Sequence, residues 1–259
     1  MPDHPNFSPV IHPDRASMGA AAARLFQQLV EDTVATKSRC RVIFGCAPSQ
    51  DEFFRSLVAE AHRTPATWKH VEVFHMDEYV GLSARHPQSF RGYLRRHFLD
   101  HVPVDRFHPI QGEAASAPDE ARRYAALLAA APIDVIDMGF GENGHVAFND
   151  PPVADFADPV LAKVVELEAA CRQQQVNDGC FPDLAAVPRT AITITLPVFT
   201  QARHLVAVVP GPRKARAVRG ALLDPVGPAC PATIIRTHPQ ATLFLDRDSA
   251  ALLPARRDA

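Results

Sequence analysis

The amino-acid sequence predicts an α/β fold with a mostly parallel sheet that is covered by helices on both faces. Short runs rich in Val, Ile and Phe alternate along the chain with longer segments of helical pattern. This is the order expected of parallel strands joined by helices. Several of the short runs are apolar at nearly every position, which is typical of strands buried on both faces.

Six segments have the composition of strands, and turn residues or proline follow most of them. They are 41–47, 71–76, 133–140, 191–196, 204–210 and 241–246. Helices are predicted over 15–35, 51–63, 89–99, 117–130 and 213–223. No linker or shift in composition divides the 259 residues. We therefore expect one domain over 1–259, in which residues 1–14 form a loose N-terminal segment.

The composition excludes several classes of function. A formal net charge of −2 gives no electrostatic footprint for nucleic acid, and no apolar run approaches the ~20 residues of a membrane span. Five scattered cysteines without zinc-site spacing indicate free thiols in a reducing compartment. The first residues lack the apolar core of a signal peptide. We expect a cytoplasmic protein without a nucleic-acid or membrane partner.

Ligands of open parallel sheets bind beyond the carboxyl ends of the strands, and one such end is GFGENGHVAFNDPP, residues 139–152. Its glycines allow positive φ or close approach to a ligand. A histidine in this turn, His145, could transfer protons near neutral pH if Asp150 held it, and Asn143 lies two residues before it. The alternative is a structural histidine that ties the loop together. The GxGxxG pattern is a weak match to a dinucleotide loop, because a poor helix start follows it.

Two further strand ends carry charged residues. Asp77 and Glu78 stand side by side after the strand predicted over 71–76, and neighbouring side chains of an extended chain point to opposite faces, so only one can enter a cleft. A carboxylate there could act as a general base if burial raised its pKa, or the two could be an ordinary solvated pair. Lys214 falls in the first turn of the helix predicted over 213–223. It could bind an anion there or belong to an exposed basic helix face.

Four motifs occur in a fixed order along the chain: MDEYVGL (76–82), HPQSF (86–90), GENGHVAFNDP (141–151) and PGPRKA (210–215). Together they resemble the glucosamine-6-phosphate deaminase family, which is related to the 6-phosphogluconolactonases. The pairing of the first motif with the third is specific. The resemblance implies a Rossmann-like three-layer α/β/α sandwich, a phosphorylated sugar substrate, and neither metal nor cofactor. Members of the family occur as monomers and as larger assemblies, so a homo-oligomer stays open.

The resemblance also implies roles for individual residues. The family's reaction is an aldose–ketose isomerisation of glucosamine 6-phosphate followed by hydrolysis of a C–N bond, which yields fructose 6-phosphate and ammonia. Asp77 matches the general base that moves a proton between C2 and C1, and His145 matches the residue that opens the pyranose ring. Asp150 stands where the family usually has a glutamate that orients and charges this histidine, and Asn143 would help to orient it. The expected substrate contacts are Ser49, Gly144 and Lys214.

The turn after the first predicted strand, CAPSQDE, departs from the family pattern of a phosphate site. Pro48 lacks an N–H, and Asp51 and Glu52 in the first helical turn would repel a phosphate. The stretch VADFADPVLAK after the catalytic loop also lacks the residues that bind an allosteric sugar phosphate in some members. We therefore expect no activation by N-acetylglucosamine 6-phosphate.

The family's phosphate-binding arginine is missing as well. Its position aligns with Asp178 or Asn177. Four arginines are candidates to replace it: Arg172, Arg95, Arg96 and Arg213. Arg172 is in the aligned segment but lies several residues too early.

Two other functions stay open. The same proton chemistry could act on an unphosphorylated amino sugar, a different phosphosugar or a lactone, and the departures at the phosphate site favour this. The MDEYVGL motif, which a lactonase is not expected to carry, argues against the lactone. The third hypothesis is a non-catalytic sugar-sensing protein. Intact Asp77 and His145 argue against it, as does the lack of an appended DNA-binding segment.

Overall fold

In a computed structural model of the protein, which describes residues 7–254, a seven-stranded parallel sheet forms the centre of the fold. Its strands are β1 (Val10–His12), β2 (Cys40–Phe44), β3 (Val71–His75), β5 (Arg106–Phe107), β6 (Val135–Met138), β9 (His204–Val209) and β10 (Ala241–Asp246). Their order across the sheet is β1-β10-β9-β6-β2-β3-β5. Each described pairing in this sheet is parallel, as the alternation of strands and helices predicts.

A second, antiparallel sheet of three strands stands beside the first. It consists of β4 (Asp77–Tyr79), β7 (Ala162–Glu166) and β8 (Thr190–Ile194), in the order β4-β8-β7. The segment 191–196, which the sequence predicts as a strand, does form one over Thr190–Ile194. Its strand pairs only within the second sheet, and Leu196 already begins a helix, where Pro197 is tolerated because the first helical turn needs no N–H from it.

Helices cover both faces of the main sheet. They are α1 (Arg15–Lys37), α2 (Asp51–Ala61), α3 (Pro65–Trp68), α4 (Phe90–Leu94), α5 (Ala117–Ala129), α6 (Ala169–Asn177), α7 (Leu196–Gln201) and α8 (Ala215–Leu223). A π-helical turn over Arg95–Leu99 extends α4, and 3₁₀ turns occupy Pro48–Gln50, Pro212–Lys214 and Pro231–Thr237. None of the helices within residues 7–254 is both long enough and apolar enough to cross a membrane.

The central strands are buried on both faces because their alternate residues enter different cores. In β9, Leu205, Ala207 and Val209 pack on one side, whereas Val206 and Val208 pack on the other. Helices α1 and α2 complete the second of these cores, and α5, α7 and α8 complete the first. The result is the predicted three-layer α/β/α sandwich.

The N-terminal segment is more ordered than the sequence suggested. Val10–His12 forms an edge strand parallel to β10, and Asp14 caps α1 by accepting a hydrogen bond from the backbone N–H of Ser17. The expectation of a loose segment over 1–14 is therefore wrong for these residues. Residues 1–6 lie outside the described part of the chain.

Candidate active site

The carboxyl ends of β2, β3, β6 and β9 meet around one cavity of about 290 Å³. Each of the four segments that were singled out after these strands contributes a polar side chain to its wall. These are Ser49 after β2, Asp77 after β3, His145 after β6 and Lys214 after β9. These four strand ends therefore meet at one cavity, which is what the parallel arrangement of their strands predicts.

The turn that carries His145 depends on two of its glycines. A Cβ atom on Gly141 would overlap the imidazole ring of His145, so only glycine lets the ring lie against the backbone here. Gly144 has φ of +83°, and a Cβ atom there would come within 2.7 Å of the Cys230 sulfur. The turn is closed by hydrogen bonds from Gly141 N–H to the His145 carbonyl, 2.9 Å, and from Gly144 N–H to the Gly141 carbonyl, 3.1 Å.

Gly144 does not contact the cavity, contrary to the prediction. Its N–H is used inside the turn, and its carbonyl accepts a hydrogen bond from Ala232. It is not among the residues that line the cavity. Its role in the described structure is to shape the turn, which its left-handed conformation makes possible at no steric cost.

His145 is paired with a buried carboxylate. Its Nδ1 lies 2.9 Å from Oδ1 of Asp150, which is 1% exposed. The Asn143 amide donates to the same Oδ1 at 2.8 Å, and its carbonyl oxygen accepts from the His145 backbone N–H at 3.0 Å. Asn143 thus positions Asp150 and the backbone of the turn, rather than the imidazole itself. The remaining ring nitrogen, Nε2, is the one left for a ligand in the cavity.

The carboxyl group of Asp150 is held in its charged form. Burial favours a higher pKa, but the hydrogen bond and positive charge offered by His145, together with Asn143 and the neighbouring Cys171 thiol, bring the pKa below its ordinary value of 3.8. An ionised carboxylate at Nδ1 orients the ring and leaves Nε2 toward the cavity. This arrangement suits a histidine that accepts and returns a proton.

Asp77 reaches the cavity because the chain leaves the main sheet at the end of β3 and enters the second sheet as β4. Asp77 is buried and lines the cavity. Burial, and next the charge of Glu78, raise the pKa of Asp77 well above its ordinary value of 3.8. The carboxylate therefore has the raised pKa that a general base near neutral pH requires.

Glu78 points away from the cavity, as the alternation of an extended strand predicts. It is fully buried, and its Oε2 accepts hydrogen bonds from the Ser89 hydroxyl at 2.8 Å and from Nε of Arg91 at 3.0 Å. Phe90 N–H also donates to its Oε1 at 3.2 Å. The ordinary solvated pair is thereby ruled out for these two carboxylates, and Glu78 fixes the HPQSF turn whose residues help to cover the cavity.

The second sheet ties the two candidate catalytic segments together. In its register Asp77 on β4 pairs with Thr193 on β8. The hydroxyl of Thr193 accepts a hydrogen bond from Phe148 N–H at 3.1 Å, and the amide of Asn149 donates to the carbonyl of Ile194 at 2.8 Å. A single strand therefore sets the distance between Asp77 and the turn that carries His145.

Lys214 is a buried cation that faces the cavity. It ends the 3₁₀ turn before α8 and is 9% exposed. Burial lowers its pKa from the ordinary value of 10.5, while the charges of Asp178 and Glu142 act in the opposite direction. Within residues 7–254 no carboxylate is in ion-pairing contact with its ammonium group. A buried ammonium without a direct counter-ion is a strong site for an anionic ligand.

Of the four arginines considered as replacements for the missing anchor, only Arg213 lines the cavity. Its guanidinium lies 2.9 Å from Oδ1 of Asp178 and donates to the Asn177 carbonyl at 2.9 Å. The guanidinium of Arg172 donates instead to backbone carbonyls of 184 and 187. Arg95 lies over the face of the Phe107 ring, and Arg96 donates to the Pro87 carbonyl.

The acidic residues at the start of α2 do not point at the cavity. Glu52 pairs with Arg15 at 2.8 Å, and Asp51 accepts a hydrogen bond from the Tyr93 hydroxyl at 2.6 Å. Neither carboxylate lines the cavity, whereas Arg15 does. The expectation that both would repel a phosphate is corrected on this geometry. Arg15 also donates to the Pro48 carbonyl at 3.1 Å. It therefore brings a positive charge to the turn in which Pro48 has no backbone N–H to donate.

Sequence reasoning did not find Arg15 or Gln174 as cavity residues. Arg15 is the first residue of α1, and no strand-end rule points to the first helix of the chain. Gln174 lies on α6 and accepts a hydrogen bond from Glu142 N–H at 2.8 Å. Its helix has no strong apolar periodicity, so the segment carried no signal of its own.

Substituting Gly141 tests how closely the turn holds the imidazole. In Gly141→Ala the new methyl group would displace the His145 ring from Asp150. Because a misplacement of about 1 Å can cost ~100-fold in rate, we expect kcat to fall by about 10- to 100-fold with little change in KM. Steady-state kinetics measure this. Gly227→Ala, which places its methyl group in open space, is the matched control and should retain kcat. An unchanged kcat in Gly141→Ala would contradict the described contact.

Comparisons with known proteins agree with this geometry. Residues 13–244 match the family model described as glucosamine-6-phosphate isomerases/6-phosphogluconolactonase. The chain is 32% identical over 235 residues to a glucosamine-6-phosphate deaminase of Shouchella clausii, which covers 90% of this chain and 91% of the relative. A solved monomeric glucosamine-6-phosphate deaminase has 26% identity and a TM-score of 0.85, over 95% of this chain and all of that one.

The 6-phosphogluconolactonase of Trypanosoma brucei has the same fold. Its TM-score is 0.75 at 21% identity, over 96% of this chain and 100% of that one. The order of the motifs, the residues that line the cavity and the fold all agree with these comparisons. The chain belongs to the glucosamine-6-phosphate isomerase/6-phosphogluconolactonase family.

Proposed function

We propose that this protein is a glucosamine-6-phosphate deaminase, which converts glucosamine 6-phosphate and water to fructose 6-phosphate and ammonia. One observation carries the proposal: a single cavity is lined by a buried carboxylate of raised pKa, Asp77, by the imidazole of a histidine–carboxylate pair, His145, and by a buried ammonium, Lys214. A general base, a proton shuttle and an anion site are the three groups that this reaction needs. The named relatives support the same activity.

In the proposed first step His145 opens the pyranose ring. Nε2 delivers a proton to the ring oxygen and accepts one from the anomeric hydroxyl, which leaves an aldehyde at C1. The ionised Asp150 stabilises the imidazolium form between the two transfers. The group acts twice and returns to its starting state, so no proton is gained or lost by the protein.

In the proposed second step Asp77 removes the proton from C2 and returns it to C1. As the C1 carbonyl oxygen takes up a proton, the C2–H electron pair forms the C1–C2 double bond of an enol. Protonation at C1 by Asp77 then leaves a protonated imine at C2, and the proton taken up is released when water replaces ammonia. Water then adds to this carbon and ammonia departs, which gives the ketone. The raised pKa of Asp77 strengthens it as a base for a weakly acidic C–H bond.

The proposed phosphate site lies where Lys214 and Arg213 face the cavity. Ser49, after β2, and Arg15, at the start of α1, also line this cavity. Lys214 has no direct counter-ion in the described chain. Arg213 pairs with Asp178. In this proposal Arg213 serves in place of the arginine that the family resemblance implies near Asp178.

Removing either cation should weaken binding rather than chemistry. A lost charge-assisted contact costs on the order of 2 kcal/mol, about thirty-fold in affinity. Lys214→Ala and Arg213→Ala should therefore raise KM for glucosamine 6-phosphate strongly and change kcat little, provided that the contacts are equal in the ground and transition states. Arg216→Ala, an exposed arginine on α8 that does not line the cavity, is the matched control. An unchanged KM in Lys214→Ala would remove that residue from the phosphate site.

A substrate panel tests the proposed function against its alternatives. Purified protein is supplied separately with glucosamine 6-phosphate, glucosamine and 6-phosphogluconolactone. We expect ammonia from the first and slow or no turnover of the other two. The carboxylate of Asp178 on the cavity wall is the observation that favours an unphosphorylated sugar, and faster turnover of glucosamine would establish that alternative. Hydrolysis of the lactone without ammonia release would overturn the proposal.

A further inference from the structure

The histidine–carboxylate pair has a third neighbour that the proposed mechanism does not use. Cys171, on the first turn of α6, lies against Asp150 and is 1% exposed. The ligand atoms of His145, Asp150 and Cys171 all lie within 4.8 Å of one another, and all three residues are buried. Imidazole nitrogen, carboxylate oxygen and thiolate sulfur are the three donor types that hold zinc in proteins.

Two of the donor atoms are held only by other members of this cluster. Asn143 donates to Oδ1 of Asp150. Within residues 7–254 neither Oδ2 of that carboxylate nor Nδ1 of His145 hydrogen-bonds to a group outside the cluster, whereas Nδ1 lies 2.9 Å from Oδ1 and the Cys171 thiol lies beside the carboxylate. Buried polar atoms of this kind are rare unless something else binds them.

The spacing fits a small tetrahedral ion. Zinc binds nitrogen, oxygen and sulfur at about 2.0–2.3 Å, which places the ligand atoms of a tetrahedron about 3.3–3.8 Å apart. The observed separations, from 2.9 Å to at most 4.8 Å, bracket this range, so small side-chain rotations suffice. The fourth position can be taken by water from the cavity that His145 lines.

We propose that His145, Asp150 and Cys171 form a site for a thiophilic divalent cation of the Zn²⁺ class, and that its occupation inhibits the enzyme. The ion takes the place of the Nδ1 proton and uses the carboxylate that orients the ring. Binding converts the Cys171 thiol to a thiolate and releases that one proton to solvent. The proton of the neutral ring moves from Nδ1 to Nε2, so the imidazole itself releases none. The hard cations Mg²⁺ and Ca²⁺ are not expected to bind, because they prefer oxygen ligands.

The inhibition follows from what the ion removes. A metal-bound imidazole can no longer be protonated at Nδ1, so it cannot pass through the imidazolium form that the proposed ring opening requires. Asp150 is no longer free to stabilise that form. This consequence, though not the binding itself, rests on the proposed function.

Cobalt binding tests the site without any turnover. Co²⁺ is titrated into the full-length protein, free of metal, and the absorbance of a thiolate–cobalt band is followed. Competitive Zn²⁺ titration then gives the stoichiometry and dissociation constant. We expect one ion per chain, a thiolate band in the wild-type protein and in Cys180→Ser, and no band in Cys171→Ser. The Zn²⁺ affinity of Cys171→Ser should fall at least ~100-fold, since loss of a ligand exceeds loss of its outer partners.

Cys180→Ser is the matched control, because Cys180 also lines the cavity but is not in the ligand set. A thermal melt checks that each variant folds, and Asp150→Asn replaces Cys171→Ser if the latter does not. No band in the wild-type protein, or a band lost in Cys180→Ser and kept in Cys171→Ser, would overturn the site.

In an active preparation, Zn²⁺ should stop ammonia release and a chelator should restore it, and full activity at saturating Zn²⁺ would overturn the inhibition. Metal binding through Cys171 in a protein without deaminase activity would contradict the proposed function but would still support the metal site.

Discussion

Asp77→Asn is expected to lower kcat for ammonia release from glucosamine 6-phosphate at least ~100-fold, the usual scale of general acid–base catalysis. Asparagine keeps the shape and burial of the side chain but cannot accept the C2 proton. KM should change little, since the amide still fills the same part of the cavity. Steady-state kinetics on the purified variant measure both quantities. Turnover within a few-fold of the wild-type rate would contradict the role given to Asp77.

The pH dependence of the wild-type enzyme follows from the same residue. Burial, and next the charge of Glu78, raise the pKa of Asp77 well above 3.8. The base must be ionised, so kcat/KM should rise with pH as Asp77 loses its proton, and the acid limb of the profile should lie above the pH at which an ordinary aspartate titrates. An acid limb at or below pH 3.8 would show that the carboxylate is not held in the environment described.

The same raised pKa makes Asp77 a cost to stability at neutral pH. In the unfolded chain the group ionises near 3.8, whereas in the fold it holds its proton to a higher pH. Its contribution to the free energy of unfolding is therefore present below pH 3.8 and is lost as pH rises through the folded pKa. Asp77→Asn should thus melt at a higher temperature than the wild-type protein at pH 7. This gain separates a catalytic defect from a folding defect.

His145→Gln is expected to lower kcat by at least ~100-fold as well. Glutamine occupies similar space but cannot take up and return a proton, so ring opening would rely on the slow spontaneous reaction. The charge held on Asp150, whose pKa lies below its ordinary value, would then stabilise nothing. Steady-state kinetics with glucosamine 6-phosphate measure the loss. Wild-type turnover in His145→Gln would return this residue to a structural role in its turn.

Variants of Asp150 are the matched controls for this prediction. Asp150→Asn keeps the hydrogen bond to Asn143 possible but removes the charge from Nδ1 of His145. It should lower kcat less than His145→Gln does. Asp150→Glu restores both the charge and the residue that the family usually has, so it should retain more activity than Asp150→Asn. The reverse order would show that the charge is not what the histidine needs.

The sequence predicted the site better than it predicted the elements around it. Ser49, Asp77, His145 and Lys214 each follow a strand of strong apolar character, and the geometry of parallel sheets alone brings such ends together. The second sheet was missed because β4 spans only Asp77–Tyr79. A strand of three residues has too little periodicity to be recognised without its partners.

The phosphate side of the cavity could not be predicted for a different reason. Whether Glu52 repels or ignores a phosphate depends on Arg15, which is 37 residues away and pairs with it only in the folded chain. Likewise Arg213 meets Asp178 across the cavity wall. Local sequence rules contain no information about such distant charge pairs. The sequence alone therefore predicted more repulsion of a phosphate than the positions of these carboxylates in the fold would produce.

The initial rate of ammonia release from glucosamine 6-phosphate, with fructose 6-phosphate measured in the same sample, tests the proposed function most directly. Asp77→Asn, assayed beside the wild-type protein, excludes a contaminating activity. We expect one fructose 6-phosphate for each ammonia from the wild-type protein, and at least ~100-fold less of both from the variant. No ammonia from the folded wild-type protein, or equal rates from the two proteins, would contradict the assignment of this cavity to amino-sugar deamination.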